Sequence, residues 1–197
     1  MVSELAEGYE KMQSLGPAVG VFGSSQLKES SPYFTTALEL GERLAQAGFA
    51  VVTGGGPGIM EAANRGAQKA KGTSCGISID LDQKEPIGSH IDPKWHLHFR
   101  YFFTRKILFV SSVQAFIFLP GGYGSMDELF EMLTLIQTKR LERIPLYLVG
   151  SSFWSGLIDW VKREQLDTGM IGKSDFDLLR IEDDLSALIE DIQKEAK

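Results

Sequence analysis

Two charged side chains and three glycine-rich turns are the places where this chain could do chemistry. Glu128 closes the stretch Pro120-Gly-Gly-Tyr-Gly-Ser-Met-Asp-Glu, and Arg105, with Lys106 beside it, stands fifteen residues ahead of Pro120. Ala115 to Leu119 is an unbroken apolar run that reads as a strand buried on both faces of a parallel sheet. Gly121, Gly122 and Gly124 follow as a loop that almost any side chain would obstruct, then Ser125, then a helical pattern over 126–138. Strand, glycine loop and helix start together form a cradle for a phosphate. The backbone can approach closely, free N–H groups point outward, and the helix dipole favours an anion. Asp127 and Glu128 set carboxylates in the first turn beside that cradle. An Arg at position 105 suits two-pronged binding of a phosphate.

Each of these residues also has a plainer explanation. Ser125-Met126-Asp127-Glu128 fits an S-x-x-E capping box, so spacing alone leaves Glu128 equally a cap or a catalyst. Asp127 suits a helix N-terminus through the dipole. Arg105 and Lys106 could belong to a solvated face, and surface solvation accounts for Glu61, Asn64 and Arg65. A glycine turn after a strand is often only a tight turn. No Lys-Ser/Thr follows the glycines, which excludes a Walker loop. The dinucleotide fingerprint is met in part: Gly54 and Gly56 are present, but Ile59 stands where the third glycine belongs. Asp80 ends the next strand 26 residues after Gly54, where ~20 is expected. His90, His96, His98 and Cys75 have no metal-ligand spacing, so no metal is assigned. Phe99, Tyr101, Phe102 and Phe103 read as core or a subunit contact.

The elements that must position these residues alternate. Residues 3–14 are an amphipathic peripheral helix, Ala18 to Phe22 a strand, and Ser31-Pro32 opens a helix running to Gly48. Phe49 to Val52 is a strand ending in Thr53-Gly54-Gly55-Gly56-Pro57-Gly58, and Ile59 to Lys71 a helix. Ser74 to Ile79 is a strand, and 80–95 a surface loop with a short strand near Trp95. Phe99 to Ser111 is a helix with Phe102, Phe103, Ile107, Leu108 and Val110 on its apolar side. After the central strand and the 126–138 helix come strand Ile144 to Val149 and helix Phe153 to Gln165. A strand over Leu178 to Ile181 and a helix over Leu185 to Lys194 close the chain. This alternation predicts one α/β domain: a doubly wound parallel sheet of about seven strands with helices on both faces. Ligands bind such sheets at the carboxyl ends of strands. Three strands end there in small loops, at Gly23-Ser24-Ser25, Gly54–Gly58 and Gly121–Gly124, which suggests one shared pocket.

Composition narrows the function classes. The chain has 197 residues, 43% hydrophobic and 23% charged, enough for one domain that buries roughly 70% of its unfolded surface. A formal charge of −6 gives no support for binding nucleic acid. One cysteine excludes an internal disulfide framework and fits a reducing cytoplasm. No apolar run is long enough for a membrane span, and no leader is evident.

Pro120-Gly-Gly-Tyr-Gly-Ser-Met-Asp-Glu128 resembles the PGGxGTxxE signature of the LONELY GUY family, long misnamed lysine decarboxylases. Gly54-Gly-Gly-Pro-Gly-Ile-Met-Glu-Ala-Ala-Asn-Arg-Gly66 resembles its second signature, and the Arg105-Lys106 pair stands where the family's pair does. The resemblance covers roughly residues 18 to 165. It implies a Rossmann-like fold, a homodimer or larger assembly, no cofactor, and hydrolysis of the N-glycosidic bond of nucleoside 5′-monophosphates such as AMP or cytokinin ribotides. It further implies Arg105 and Glu128 as the catalytic pair. The nucleotide-binding set would be Ser24, Ser25, Gly54, Gly55, Gly56, Gly58, Met60, Lys106, Gly121, Gly122, Gly124 and Ser125. Ser125 replaces the usual Thr and keeps the hydroxyl. Phe103 stands where short plant-type members have His, and the aromatic run around it is closer to the longer bacterial branch. A molybdenum-cofactor carrier of the same fold and an NAD(P)-binding protein are the alternative readings, while pyridoxal-phosphate chemistry finds no Schiff-base lysine.

Overall fold

The computed structural model describes residues 2–79 and 89–195, excepting the side chains of Val2 and Phe102; Asp80 and most of the expected 80–95 loop lie outside the described residues. Seven strands form one sheet in the order β4-β3-β2-β1-β5-β6-β7, every neighbouring pair parallel. They are β1 (Ala18–Phe22), β2 (Ala50–Thr53), β3 (Ser74–Ile79), β4 (His96–Phe99), β5 (Ala115–Phe118), β6 (Leu146–Leu148) and β7 (Leu179–Ile181). The helices are α1 (Val2–Gln13), α2 (Pro32–Gln46), α3 (Ile59–Lys69), α4 (Phe102–Ser112), α5 (Tyr123–Gln137), α6 (Ser151–Val161), α7 (Lys173–Phe176) and α8 (Leu185–Glu195).

Alternation along the strands splits the apolar side chains into two layers. Phe116 and Phe118 of β5 face a core that takes Leu108 and Phe109 of α4, Leu129 and Met132 of α5, and Trp154 of α6. Ala115, Ile117 and Leu119 face the other way, onto Leu40 of α2, Ala62 of α3 and Leu188 of α8. The doubly wound expectation holds in strand number, direction and two-sided cover.

Three local expectations change. The short strand expected near Trp95 is present as β4, but it extends through Phe99, buried at the sheet edge, so that α4 starts only at Phe102. On α4 itself Leu108 is fully buried, but Phe103 and Ile107 are each 48% exposed. Its apolar side is therefore wider than the face the sheet can cover. The last helix before β7 is also interrupted. α6 ends at Val161, a π turn follows over Lys162–Leu166, and the four-residue α7 comes after it.

Candidate active site

The chain crosses over after β4 and resumes on the far side of β1, so β1 and β5 are neighbours that lead away in opposite directions. A crevice opens at the carboxyl ends of such a pair. Three loops meet there. The Pro120 carbonyl accepts the Ser24 N–H at 3.0 Å, and the Ser24 carbonyl accepts the Ile59 N–H at 3.0 Å. The loop after β2 is thus tied to the loop after β1, and that loop to the one after β5. The tie requires glycine at position 58. Gly58 has φ 71°, and a Cβ there would collide with the Ser24 carbonyl oxygen and the Ser25 backbone.

A cavity of about 270 Å³ opens over these loops, lined among others by Ser24, Ser25, Met60, Arg105, Gly122, Gly124, Ser125 and Glu128. That volume sits at the lower end of small-molecule sites. The predicted binding residues divide into those facing the cavity, those supporting it and Lys106, which lies outside it. Ser24, Ser25, Met60, Gly122, Gly124 and Ser125 face the cavity. The glycines of the second loop support it from beneath: Gly55 and Gly56 are buried, and Gly54 backs onto Arg105 and Met60. Gly121 likewise backs onto the Ser125 hydroxyl. Lys106 is absent from the cavity's described lining and borders a shallow groove on the outer side of α5.

Helix α5 begins earlier than its hydrophobic pattern suggests. Gly122 is the cap residue, and Gly124 and Ser125 are wound into the first turn. Ser125 is then the third helical residue and Glu128 the sixth, so the capping box does not form. Glu128 falls instead on the buried stripe of α5 with Ser125, Leu129 and Met132. The first N–H groups of the helix, ahead of the Met126 N–H that binds the Gly122 carbonyl, have no intrahelical acceptor and face the loop.

The Glu128 side chain is 5% exposed. Its Oε1 lies 3.8 Å from Lys106 Nζ, and its buried Oε2 has no hydrogen-bond partner. A buried carboxylate oxygen left bare costs on the order of 1–3 kcal/mol or more; the Thr104 hydroxyl of α4 is buried and bare as well. Burial pushes the Glu128 carboxyl above the ordinary range. Lys106 and then Arg105 pull against that rise, while Glu131 and Asp127 add to it.

Arg105 reaches the same cavity from α4. Its Nε donates to the Ile77 carbonyl at 2.9 Å, and its guanidinium lies 5.4 Å from the centre of the Phe109 ring. Burial lowers the guanidinium's proton affinity and the charge of Glu128 raises it. The residue is fixed at Nε, and among the described residues no side chain is bonded to its terminal nitrogens.

Sequence reasoning missed Asn64. It is 1% exposed, inside α3 rather than on its surface. Its Oδ1 accepts the Thr53 hydroxyl at 2.5 Å, and its Nδ2 donates to Ser74 Oγ at 2.8 Å and the Cys75 carbonyl at 3.2 Å. Thr53 Oγ1 in turn accepts the Gly55 N–H at 3.0 Å. One amide therefore braces the glycine turn after β2 against β3. The small hydroxyl residues ending β2 and beginning β3 were its available signal. Glu61 and Arg65 do lie at the surface side of α3, Arg65 paired with Glu29 at 2.9 Å.

At the third helix start on this edge the anion position is already taken. Asp183 accepts N–H groups from Gly150 at 2.7 Å and Ser151 at 3.1 Å. These bonds outweigh the cost of partial burial and hold its carboxyl below the ordinary range. Among the described residues, no carboxylate accepts an N–H at the α5 start. Elsewhere on the sheet, Ser78 Oγ lies 2.9 Å from His96 Nε2 and 3.0 Å from His98 Nδ1. No group of three or more His, Cys, Asp or Glu with metal-binding geometry occurs among the described residues. None of the helices described is long and apolar enough to cross a membrane.

The family model described as "Possible lysine decarboxylase" matches residues 60–192. A probable cytokinin riboside 5′-monophosphate phosphoribohydrolase of Oryza sativa subsp. japonica is 30% identical over 144 residues, 72% of this chain and 57% of the rice protein. The match thus spans little more than half of that relative. A cytokinin riboside 5′-monophosphate phosphoribohydrolase of Arabidopsis thaliana is 28% identical over 168 residues, 82% of this chain and 74% of the relative. Among solved structures, the molybdenum cofactor binding protein of Rippkaea orientalis superposes with a TM-score of 0.68 at 22% identity, over 92% of this chain and 98% of that one. The molybdenum cofactor carrier protein of Chlamydomonas reinhardtii gives 0.65 at 22% identity, over 92% and 99%. Likeness at that identity speaks for the fold alone.

Proposed function

Because the chain belongs to the LONELY GUY family, we propose that it is a nucleoside 5′-monophosphate phosphoribohydrolase, releasing free base and ribose 5-phosphate from AMP or a cytokinin ribotide. The observation that carries this reading is the bare Oε2 of Glu128, buried beside a glycine-lined cavity into which Arg105 also reaches. In this reading the 5′-phosphate sits on the free N–H groups at the start of α5, with Arg105 as its charged partner. That anchoring fixes the ribose and supplies binding energy remote from the reacting bond.

Breaking the bond from C1′ to the base nitrogen leaves positive charge on the sugar. The Glu128 carboxylate stabilises that charge and takes a proton from the attacking water. The water oxygen joins C1′, and one proton leaves with the base. A carboxyl lifted above its usual range by burial is a better base for that step than a solvated one.

The assembly in this reading is a homodimer or larger, packed through the exposed Phe103 and Ile107 of α4, in the cytoplasm; light scattering of the purified protein tests the subunit number. The decisive experiment incubates the protein with a panel of nucleoside 5′-monophosphates and separates the products by chromatography. Free base and ribose 5-phosphate in equal amounts are expected. Nucleotide bound and returned intact would instead make the chain a carrier.

A further inference from the structure

Resting on the reading of Glu128 as the acid at the sugar, we infer that Lys106 is a positioning residue that holds the Glu128 carboxylate, and does not grip the substrate's phosphate. Lys106 Nζ lies 2.7 Å from Asp127 Oδ2, 2.5 Å from Glu131 Oε2 and 3.8 Å from Glu128 Oε1. An ammonium has three N–H donors, and three carboxylates of α5 surround this one. A phosphate arriving at the start of α5 would find two of those donors engaged, by Asp127 and Glu131, and the ammonium's charge already offset by three carboxylates.

Direction supports the same assignment. Neighbouring residues on a helix point about 100° apart, so Arg105 and Lys106 approach Glu128 from different sides. Arg105 lines the cavity. Lys106 comes from another side, bordering an outer groove that adjoins the cavity at Tyr123 and Asp127. The lysine side chain is only 17% exposed, so its attraction to the buried carboxylate is weakly screened. The charged groups facing Glu128 are Arg105 and Lys106 from α4, with Asp127 and Glu131 from α5. Removing Lys106 would leave one cation against two further acids, and the Glu128 carboxyl would hold its proton to a higher pH.

The pH profile of AMP hydrolysis by wild type, Lys106→Met and Lys106→Arg tests this. For Lys106→Met, kcat at pH ~6 should fall about tenfold and recover toward wild type by pH ~9, the consequence of losing one nearby cation. KM for AMP should stay within about twofold, because the ground-state anchor is untouched, and Lys106→Arg should restore most of the acid-side rate. An unmoved acid limb with KM raised about tenfold would overturn the inference and make Lys106 a phosphate ligand. A loss equal at all pH values would also overturn it, leaving a structural role. If wild type hydrolyses no nucleotide, the proposed function fails, and a separate readout still decides the role of Lys106. In that case the Glu128 carboxyl titration is followed by carbon-13 NMR in wild type and Lys106→Met. An upward shift in the variant supports the inference, and coincident curves contradict it.

Discussion

Gly54→Ala tests whether the placement of Arg105, and not merely its presence, serves the chemistry. A Cβ on Gly54 would fall 2.5 Å from Arg105 Nη2 and 2.8 Å from the Met60 sulfur. Ordinary contact begins near 3.4 Å, so the guanidinium must retreat by 3.4 − 2.5, about 0.9 Å. Both atoms are the far ends of flexible side chains, and Gly54 is not among the positive-φ glycines. The fold can therefore accept the methyl group for about 1 kcal/mol, which lowers Tm by about 2–4 °C in a chain of this size. The guanidinium is less free, because its Nε is bonded to the Ile77 carbonyl. A misplacement near 1 Å costs on the order of 10²-fold in rate. The assay pairs chromatographic base release from AMP with a thermal melt of the same preparation. A folded variant with kcat/KM down about 10²-fold is expected. Wild-type turnover in that folded variant would refute the claim that Arg105 is held where it is for a reason.

Other outcomes follow from single contacts. Asn64→Ala strands the Thr53 and Ser74 hydroxyls and should cost about 1–3 kcal/mol, read as a lower urea midpoint. Removing the 5′-phosphate removes the anchor, so adenosine should be cleaved at least about 10²-fold less efficiently than AMP; equal turnover would contradict the phosphate site. Glu128→Gln should raise stability in a pH-dependent way. Burial raises the Glu128 carboxyl in the folded state, so below the ordinary glutamate value both states are protonated and no penalty exists. As pH climbs through the raised folded value, the buried charge costs the wild type stability. The variant should thus melt above wild type at pH ~8 and with it at pH ~4. A variant melting below wild type at the higher pH would show that the ion pairs outweigh burial.

Much of the fold could be read from residue order. Short runs of apolar and small residues marked β1, β3 and β5 closely, because strands covered on both faces tolerate little else. The start of α5 is hidden in the sequence because Gly122 and Gly124 look like loop. The first turn of a helix needs no internal N–H acceptor, so glycine is tolerated there, and that shift moved Glu128 from the cap to the buried stripe. Asn64 reads as surface from its position in α3, because its partners, Thr53, Ser74 and Cys75, lie on two strands that only the fold brings together. Lys106 belongs to the nucleotide-binding set that the resemblance implies, and its contacts with Asp127 and Glu131 of α5 are not legible from that motif. Motif spacing identifies which residues share a site. Rotation about the helix axis decides what each can touch.

The central claim is that Glu128 acts at the sugar while the loops and Arg105 hold the nucleotide. The rate of adenine release from saturating AMP by Glu128→Gln, set against wild type, tests it most directly. The account predicts a rate lower by on the order of 10²–10⁴-fold in a variant that still binds AMP. Release within a few-fold of the wild-type rate would contradict it.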